Sequence, residues 1–159
     1  MQPSGNIFKA FSSQGKAGRL KNMVLLGLDY GRRRIGLAIA VNLIIETRGW
    51  LERDRQDRED QPLLKQIEEI CCREGVEKVV VGISEGLTAL ETKRFVKKLS
   101  EVIKLPIVFV DETLTSWEAE KKVGWKDKGR IDTVAAALIL ERSLEASAEA
   151  ENTIGSGGL

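Results

Sequence analysis

The chain contains no histidine, and this absence removes more chemistry than any other feature of its composition. Without an imidazole there can be no Ser-His-Asp or Cys-His catalysis and no histidine-ligated zinc or iron site. Cysteine is almost as scarce, because Cys71 and Cys72 are the only two and they are adjacent, without the spacing of a metal site. We interpret them as reduced thiols that pack on a helix. Any catalysis must therefore use carboxylates, hydroxyls, basic groups or a metal ion that prefers oxygen ligands.

Long apolar segments are also missing. No apolar stretch reaches the roughly 18 residues that a membrane-spanning helix needs, and residues 1–22 lack the continuous apolar core of a signal peptide. We therefore expect a cytoplasmic protein that does not associate with membranes. With 159 residues, 42% hydrophobic and 31% charged, the chain has the size and composition of one globular domain.

The net charge of +1 conceals a basic start and an acidic end. Residues 1–22 carry four basic side chains and no acid, whereas residues 141–159 carry four glutamates and one arginine. Both ends are rich in Gly, Ser or Ala, which is typical of flexible extensions. We predict a flexible basic arm over 1–22, one folded domain over 23–146 and a flexible tail over 147–159. The arm either contacts nucleic acid or is simply solvated.

The segment MVLLGLDYGRRRIGLAIA, residues 23–40, predicts a β-hairpin because two apolar runs are joined by a few residues that include glycine. The first run ends at a single carboxylate, Asp29. Burying an unpaired carboxylate is costly, so we expect Asp29 at the strand end, facing a cation. The alternative is an aspartate that only caps the turn. Residues 42–50 predict a third strand.

The rest of the chain alternates helices with short apolar strands. The predicted elements are a helix from Pro62 to Gly75, a buried strand KVVVGI at 78–83, a helix opened by a Thr88-x-x-Glu91 capping box, a strand at 107–110, a short helix opened by a Thr115-x-x-Glu118 capping box, and a last helix at 131–146. Alternation of this kind implies parallel strands joined by right-handed crossovers. Ligands of such sheets gather at the carboxyl ends of the strands.

Three carboxylates are candidates for a site at that edge. Asp29 and Glu112 follow strands, and Asp132 opens the last helix, where it could instead act only as an N-cap. Alanines at 135–137 would let this helix approach the sheet and bring Asp132 to the strand ends. An all-oxygen site suits Mg²⁺ or Mn²⁺. Two such ions can activate a water and stabilise the leaving oxygen of a phosphodiester.

Basic residues lie on both sides of these carboxylates in the sequence. They are Arg32, Arg33 and Arg34 after Asp29, and Lys126, Lys128 and Arg130 before Asp132. Positive groups in these places could bind the phosphates of a nucleic acid while the acids perform the chemistry. The alternative is that they are solvated turn charges.

Four segments in order make the sequence resemble the YqgF/RuvX family over residues 24–144: LDYGRRRIGLAIA, VEKVVVGI, LPIVFVDETLTSWEAE and DTVAAALILERSL. The resemblance implies a ribonuclease-H-like α/β fold, with a mixed five-stranded sheet flanked by helices. It also implies a metal-dependent nuclease in which Asp29, Glu112 and Asp132 match the family's acids. The favoured substrate is the 5′ end of pre-16S ribosomal RNA, with Holliday junction DNA as the alternative. We expect a monomer or weak dimer.

Three departures from the family pattern concern the parts that would hold substrate. The loop Ser84–Leu87 is short, Thr113 stands where arginine is common, and no Ser-Asp-Pro follows the second strand. They leave open a nucleic-acid-binding module without catalysis. An ATPase of the actin-like type is a further alternative, because its first phosphate loop also follows a strand with Asp-x-Gly. The chain lacks the second domain and the Gly-rich adenosine segment of those proteins.

Overall fold

The first three strands form an antiparallel meander at one side of a five-stranded sheet. They are β1 (Val24–Tyr30), β2 (Arg34–Val41) and β3 (Ile44–Glu52). The structure is a computed structural model that describes residues 22–54, 56–83, 86–111 and 128–156. The predicted hairpin is confirmed, and its register places Asp29 directly opposite Gly36.

The chain after β3 adds the parallel strands and the helices. Its elements are α1 (Gln61–Glu74), β4 (Lys78–Ile83), α2 (Leu87–Val102), β5 (Ile107–Asp111) and α3 (Lys128–Ser156). The strand order is β3-β2-β1-β4-β5, and β4 runs parallel to both of its neighbours. The predicted mixed five-stranded sheet flanked by helices is therefore confirmed. Among the helices that the structure describes, none is long and apolar enough to cross a membrane.

Helix ends were predicted less well than helix positions. Helix α1 has Pro62 in its first turn and ends at Gly75, as expected. The capping box at Thr88 is wrong, because α2 begins at Leu87 and its N-cap is Gly86, in a backbone conformation (φ 83°, ψ −150°) that only glycine adopts readily. The last helix begins at Lys128 rather than at residue 131 and continues to Ser156, ten residues beyond the predicted end.

The short helix predicted after β5, from the Thr115-x-x-Glu118 pattern, lies outside the described residues.

The two cysteines lie in different environments. Cys71 lies in the core on α1, and burial raises the pKa of its thiol to about 11, which confirms a packing role. Both cysteines are free and lie on α1, as predicted, but Cys72 is exposed, so the packing role is wrong for that residue.

The two faces of the sheet are covered differently. Alternate residues of β1, including Leu26, Leu28 and Tyr30, pack in the larger core with α1 and α2. The residues between them face α3, where Leu25 packs with Ala136 and Leu140. Asp29 belongs to this second set, so its side chain is on the face that α3 covers.

Helix α3 lies against the sheet at a very short distance, as the alanine run predicted. A Cβ on Gly27 would stand 2.8 Å from the carbonyl oxygen of Ala136, and a Cβ on Gly36 would overlap the carbonyl oxygen of Asp132. A buried hydrogen bond ties the same place together, because Thr133 Oγ1 donates to the carbonyl oxygen of Leu37 over 2.9 Å. The start of α3 is therefore held on β2 by close backbone packing at Gly36 and by the side-chain hydrogen bond of Thr133.

We expect Gly36→Ala to destabilise the protein by about 3 kcal/mol, the upper part of the range for overpacking, because the atom it meets is helix backbone and cannot rotate away. Gly49→Ala is the comparison: Gly49 has φ 78° but nothing within 4 Å of a new Cβ, so it measures backbone strain alone, about 1–2 kcal/mol. Denaturant unfolding of both variants checks this. Equal midpoints for Gly36→Ala and the parent would disprove the close approach.

Candidate functional site

Asp29 is the penultimate residue of β1 and one of few buried charged side chains in the described structure. Its exposed fraction is 8%, and it points toward α3 rather than into the hairpin turn. A carboxylate in this position would be costly without compensating interactions. Its place in the ladder, paired with Gly36, makes it part of the strand and not a turn residue.

Asp132 is held beside the same strand ends. Its backbone carbonyl lies against Gly36, which is the residue opposite Asp29, so both aspartates belong to one end of one sheet face. The N-cap interpretation of Asp132 is not supported, since α3 begins four residues earlier at Lys128. Asp132 lies in the second turn, where capping of free N–H groups is no longer required.

The environment of Asp132 opposes its ionisation. Burial raises the pKa of its carboxyl group, and the nearby charge of Arg34 acts in the other direction without cancelling the effect. An added cation at this place would favour the ionised form. Arg34, predicted as a phosphate-binding residue, therefore also contributes charge to the carboxylate site.

The third predicted acid, Glu112, lies outside the described residues. It follows Asp111, the last residue of β5, which pairs with Ile83 at the end of β4. Arg142 of α3 donates a hydrogen bond from Nη1 to the carbonyl oxygen of Asp111 over 3.2 Å. Within the described residues there is no group of three acids, cysteines or histidines that could hold a metal ion. The structure thus brings together two of the three predicted acids, and Glu112 stays a prediction.

The arginine turn, residues 32–34, is held in place by Arg53, which the sequence reasoning missed. The Arg53 guanidinium donates from Nη1 to the carbonyl oxygens of Gly31 and Arg32, both at 3.3 Å. It also forms a salt bridge of 3.0 Å with the buried Asp60 and lies 4.8 Å from the ring centre of Tyr30. A charged, largely buried anchor of this kind fixes the turn before any ligand arrives.

The other basic residues predicted to bind phosphate differ in their exposure and in their partners. Arg32 is exposed and forms a salt bridge of 3.0 Å with Glu91 of α2, and Arg33 is exposed. Lys126 lies outside the described residues, as do Ser84 and Thr113. Lys128 and Arg130 are described as backbone positions in the first turn of α3. No signal in the sequence pointed to Arg53, since it stands in a run of charges that resembles a solvated loop.

Sheet order and helix placement define the class of the protein. An antiparallel meander extended by parallel strands, with a carboxylate on the central strand, is the ribonuclease-H-like α/β architecture. The structure of Thermus thermophilus RuvC in complex with a Holliday junction substrate is similar to this chain, with a TM-score of 0.52 at 15% identity, over 74% of this chain and 92% of that one. At this identity the similarity concerns the fold alone.

The chain belongs to the RuvX family, described as "Holliday junction resolvase", which matches residues 23–146. It is 43% identical over 136 residues to a protein of Synechococcus sp. named "Putative pre-16S rRNA nuclease", covering 78% of this chain and 90% of the relative. A protein of Trichormus variabilis with the same name is 36% identical over 139 residues, covering 79% and 89%. The family resemblance read from the four sequence segments is confirmed.

Proposed function

We propose that this chain is a metal-dependent nuclease that hydrolyses phosphodiester bonds with Asp29, Glu112 and Asp132. One observation carries the proposal: Gly36 lets the backbone of Asp132 rest on β2 directly opposite Asp29, which brings two carboxylates to one end of one sheet face. A tight backbone contact at this point would fix the distance between the two acids, which matters if both bind the same metal ion. The names of the relatives support a nuclease.

The residues present fit a hard divalent cation. Both described acids offer carboxylate oxygens, the ligands that Mg²⁺ and Mn²⁺ favour, and the softer donors are few, since the chain has no histidine and both cysteines lie on α1. Burial raises the pKa of Asp132 and Arg34 does not fully offset this effect, so a bound cation would stabilise the ionised carboxylate. When bound, such an ion supplies an activated water and stabilises the leaving oxygen. Asp29 and Asp132 would hold it, and Glu112 would complete the site.

The substrate we favour is the precursor of 16S ribosomal RNA, cut at its 5′ end in the cytoplasm. The relatives at 36% and 43% identity that carry the pre-16S rRNA name support the ribosomal substrate, and the 5′ end and the cytoplasm are part of the proposal. The second candidate is resolution of Holliday junctions, favoured by the family's description. A resolvase must cut two strands symmetrically and would therefore act as a dimer.

The test compares cleavage of a pre-16S RNA fragment and a four-way DNA junction, each with Mg²⁺, with Mn²⁺ and with chelator. We expect metal-dependent cleavage of the RNA. Cleavage of the junction alone would move the assignment to the second candidate. Binding of either substrate without cleavage under any metal condition would make the chain a binding module.

We expect the arginine turn to contribute phosphate contacts. Replacing Arg32, Arg33 and Arg34 together with glutamine should flatten the plot of log affinity against log salt by up to about 2 for a single-stranded substrate, at about 0.7 per phosphate. The check is the affinity measured from about 50 to 300 mM KCl, a range that includes physiological ionic strength. An unchanged slope would place the substrate elsewhere on the surface.

A further inference from the structure

Apart from the arginine turn, basic side chains also line a cleft on the sheet face opposite the aspartates. It is a cleft of about 570 Å³ between the arginine turn, the loop before α1 and helix α2. Five basic side chains and two carboxylates line it: Arg32, Arg53, Arg58, Arg94 and Lys98 with Asp60 and Glu91. We refer to it as the distal cleft.

The two carboxylates of the distal cleft are already neutralised by part of its basic set. Asp60, 5% exposed, binds Arg53 at 3.0 Å and lies 3.7 Å from the ammonium group of Lys98. Glu91 is paired with Arg32. Arg58 and Arg94 are exposed, and within the described part of the chain neither guanidinium is in an ion pair. The cleft therefore has two uncompensated positive groups above a fixed, charge-paired floor.

The floor of the cleft selects for phosphate rather than for a base. Tyr30 and Phe95 pack on each other with ring centres 5.1 Å apart, and their exposed fractions of 7% and 2% leave no face for stacking. The groups that point outward are guanidinium ions, which match the geometry of phosphate oxygens. A ligand that presents consecutive phosphates would satisfy them.

Arg53 connects the distal cleft with the carboxylate site. A second hollow of about 450 Å³ is lined by Arg33, Arg34, Glu52 and Arg53. Arg53 thus borders both concavities, and Arg34 at the far side of this hollow lies near Asp132. Basic side chains therefore extend from the edge where the aspartates lie, across the arginine turn, to the opposite face of the sheet.

We propose that the distal cleft is a second phosphate-binding site, which holds the backbone of the substrate strand after it has passed over the arginine turn. The proposal rests on the proposed nuclease function and extends it to a defined path. Arg58 and Arg94 contact phosphates several nucleotides away from the bond that is cut. They bind substrate and take no part in hydrolysis.

The experiment measures how the affinity for a fluorescent single-stranded RNA depends on KCl concentration. The RNA has about 30 nucleotides, so that one strand can reach both sites. All proteins carry Asp29→Asn so that cleavage does not interfere. Arg58→Gln/Arg94→Gln is compared with Lys93→Gln/Lys97→Gln, which removes the same charge from exposed positions of α2 that do not line the cleft. We expect the arginine pair to lower affinity and reduce the salt slope by about 1.4, and the lysine pair to leave the slope unchanged.

Equal slopes for the arginine variant and its Asp29→Asn parent would overturn the second site while leaving the nuclease proposal intact. Equal effects of the arginine and lysine pairs would also overturn it, since only overall charge would then matter. If the parent binds no RNA, the second site and the pre-16S ribosomal RNA assignment both fail, whereas metal-dependent cleavage of the four-way DNA junction by the unsubstituted chain would still support the nuclease. Titration with inorganic pyrophosphate distinguishes the remaining source: pyrophosphate binding that is lost in the arginine pair while the RNA salt slope stays at the parental value would overturn the substrate path and assign the cleft to a small phosphorylated ligand.

Discussion

Asp29→Asn should abolish metal-dependent hydrolysis while the protein remains folded. The substitution keeps the shape of a side chain that is 8% exposed, but it removes the negative charge that a hard cation requires. Activity on the preferred substrate should fall by about 100-fold or more, since even residues that only support metal ligands contribute about 10- to 100-fold. Initial cleavage rates with saturating Mn²⁺, together with the melting temperature in chelator, check this.

Asp54→Asn is the matched control, because it makes the same chemical change at an exposed loop carboxylate that accepts a hydrogen bond from the Gln56 N–H over 2.9 Å. An asparagine oxygen can accept the same bond, so both activity and stability should stay at parental values. Cleavage by Asp29→Asn at the parental rate would remove this residue from the metal site. Loss of folding in Asp29→Asn would be read from circular dichroism and would count against a purely functional role.

Asp132→Asn should separate an enzyme from a binding module. We expect cleavage to fall by about 100-fold or more and Mn²⁺ binding to weaken, while affinity for RNA in chelator changes little. The helix itself should be unaffected, because Asp132 lies in the second turn of α3 and has no capping role to lose. Calorimetric titration with Mn²⁺ and RNA binding by anisotropy measure the two effects separately. Normal activity with normal Mn²⁺ affinity would return Asp132 to a structural residue.

The pH dependence of stability offers a second measure of Asp132. Burial raises the pKa of this carboxyl above its unfolded value of about 3.9, so the folded state favours the protonated form. The stability that this group contributes is therefore present below the unfolded pKa and is lost as the pH rises through the folded pKa. In chelator, Asp132→Asn should gain stability relative to the parent across that window and keep the gain at neutral pH. Added Mn²⁺ should reverse the difference by stabilising the parent alone.

The spacing of the three acids could be predicted only in part. Asp29 was expected at a strand end, and the structure places it there, because a lone carboxylate after an apolar run has few other favourable positions. Asp132 was expected near it from the alanines alone. The contact that brings them together is Gly36 on the backbone of Asp132, and nothing in a local pattern distinguishes this glycine from one in a turn.

Arg53 shows why the basic surface was harder to predict. It stands in a charged connection between β3 and α1, where local composition indicates solvated side chains. In the fold it is anchored by Asp60, by two carbonyl oxygens of the arginine turn and by the ring of Tyr30. Asp60 and Tyr30 come from different elements, and their convergence depends on how α1 packs on the sheet.

The sequence by itself excluded histidine-dependent chemistry and determined the mixed sheet and the family, because composition, hydrophobic periodicity and ordered motifs can be read without knowing which residues meet in the fold. Tertiary structure decided where helices α2 and α3 begin, how closely α3 approaches β2, and which charges meet. Those outcomes depend on contacts between residues distant in the chain, such as Thr133 with Leu37 and Arg32 with Glu91. Steric fit and charge pairing across elements select them, and neither can be computed from a segment in isolation.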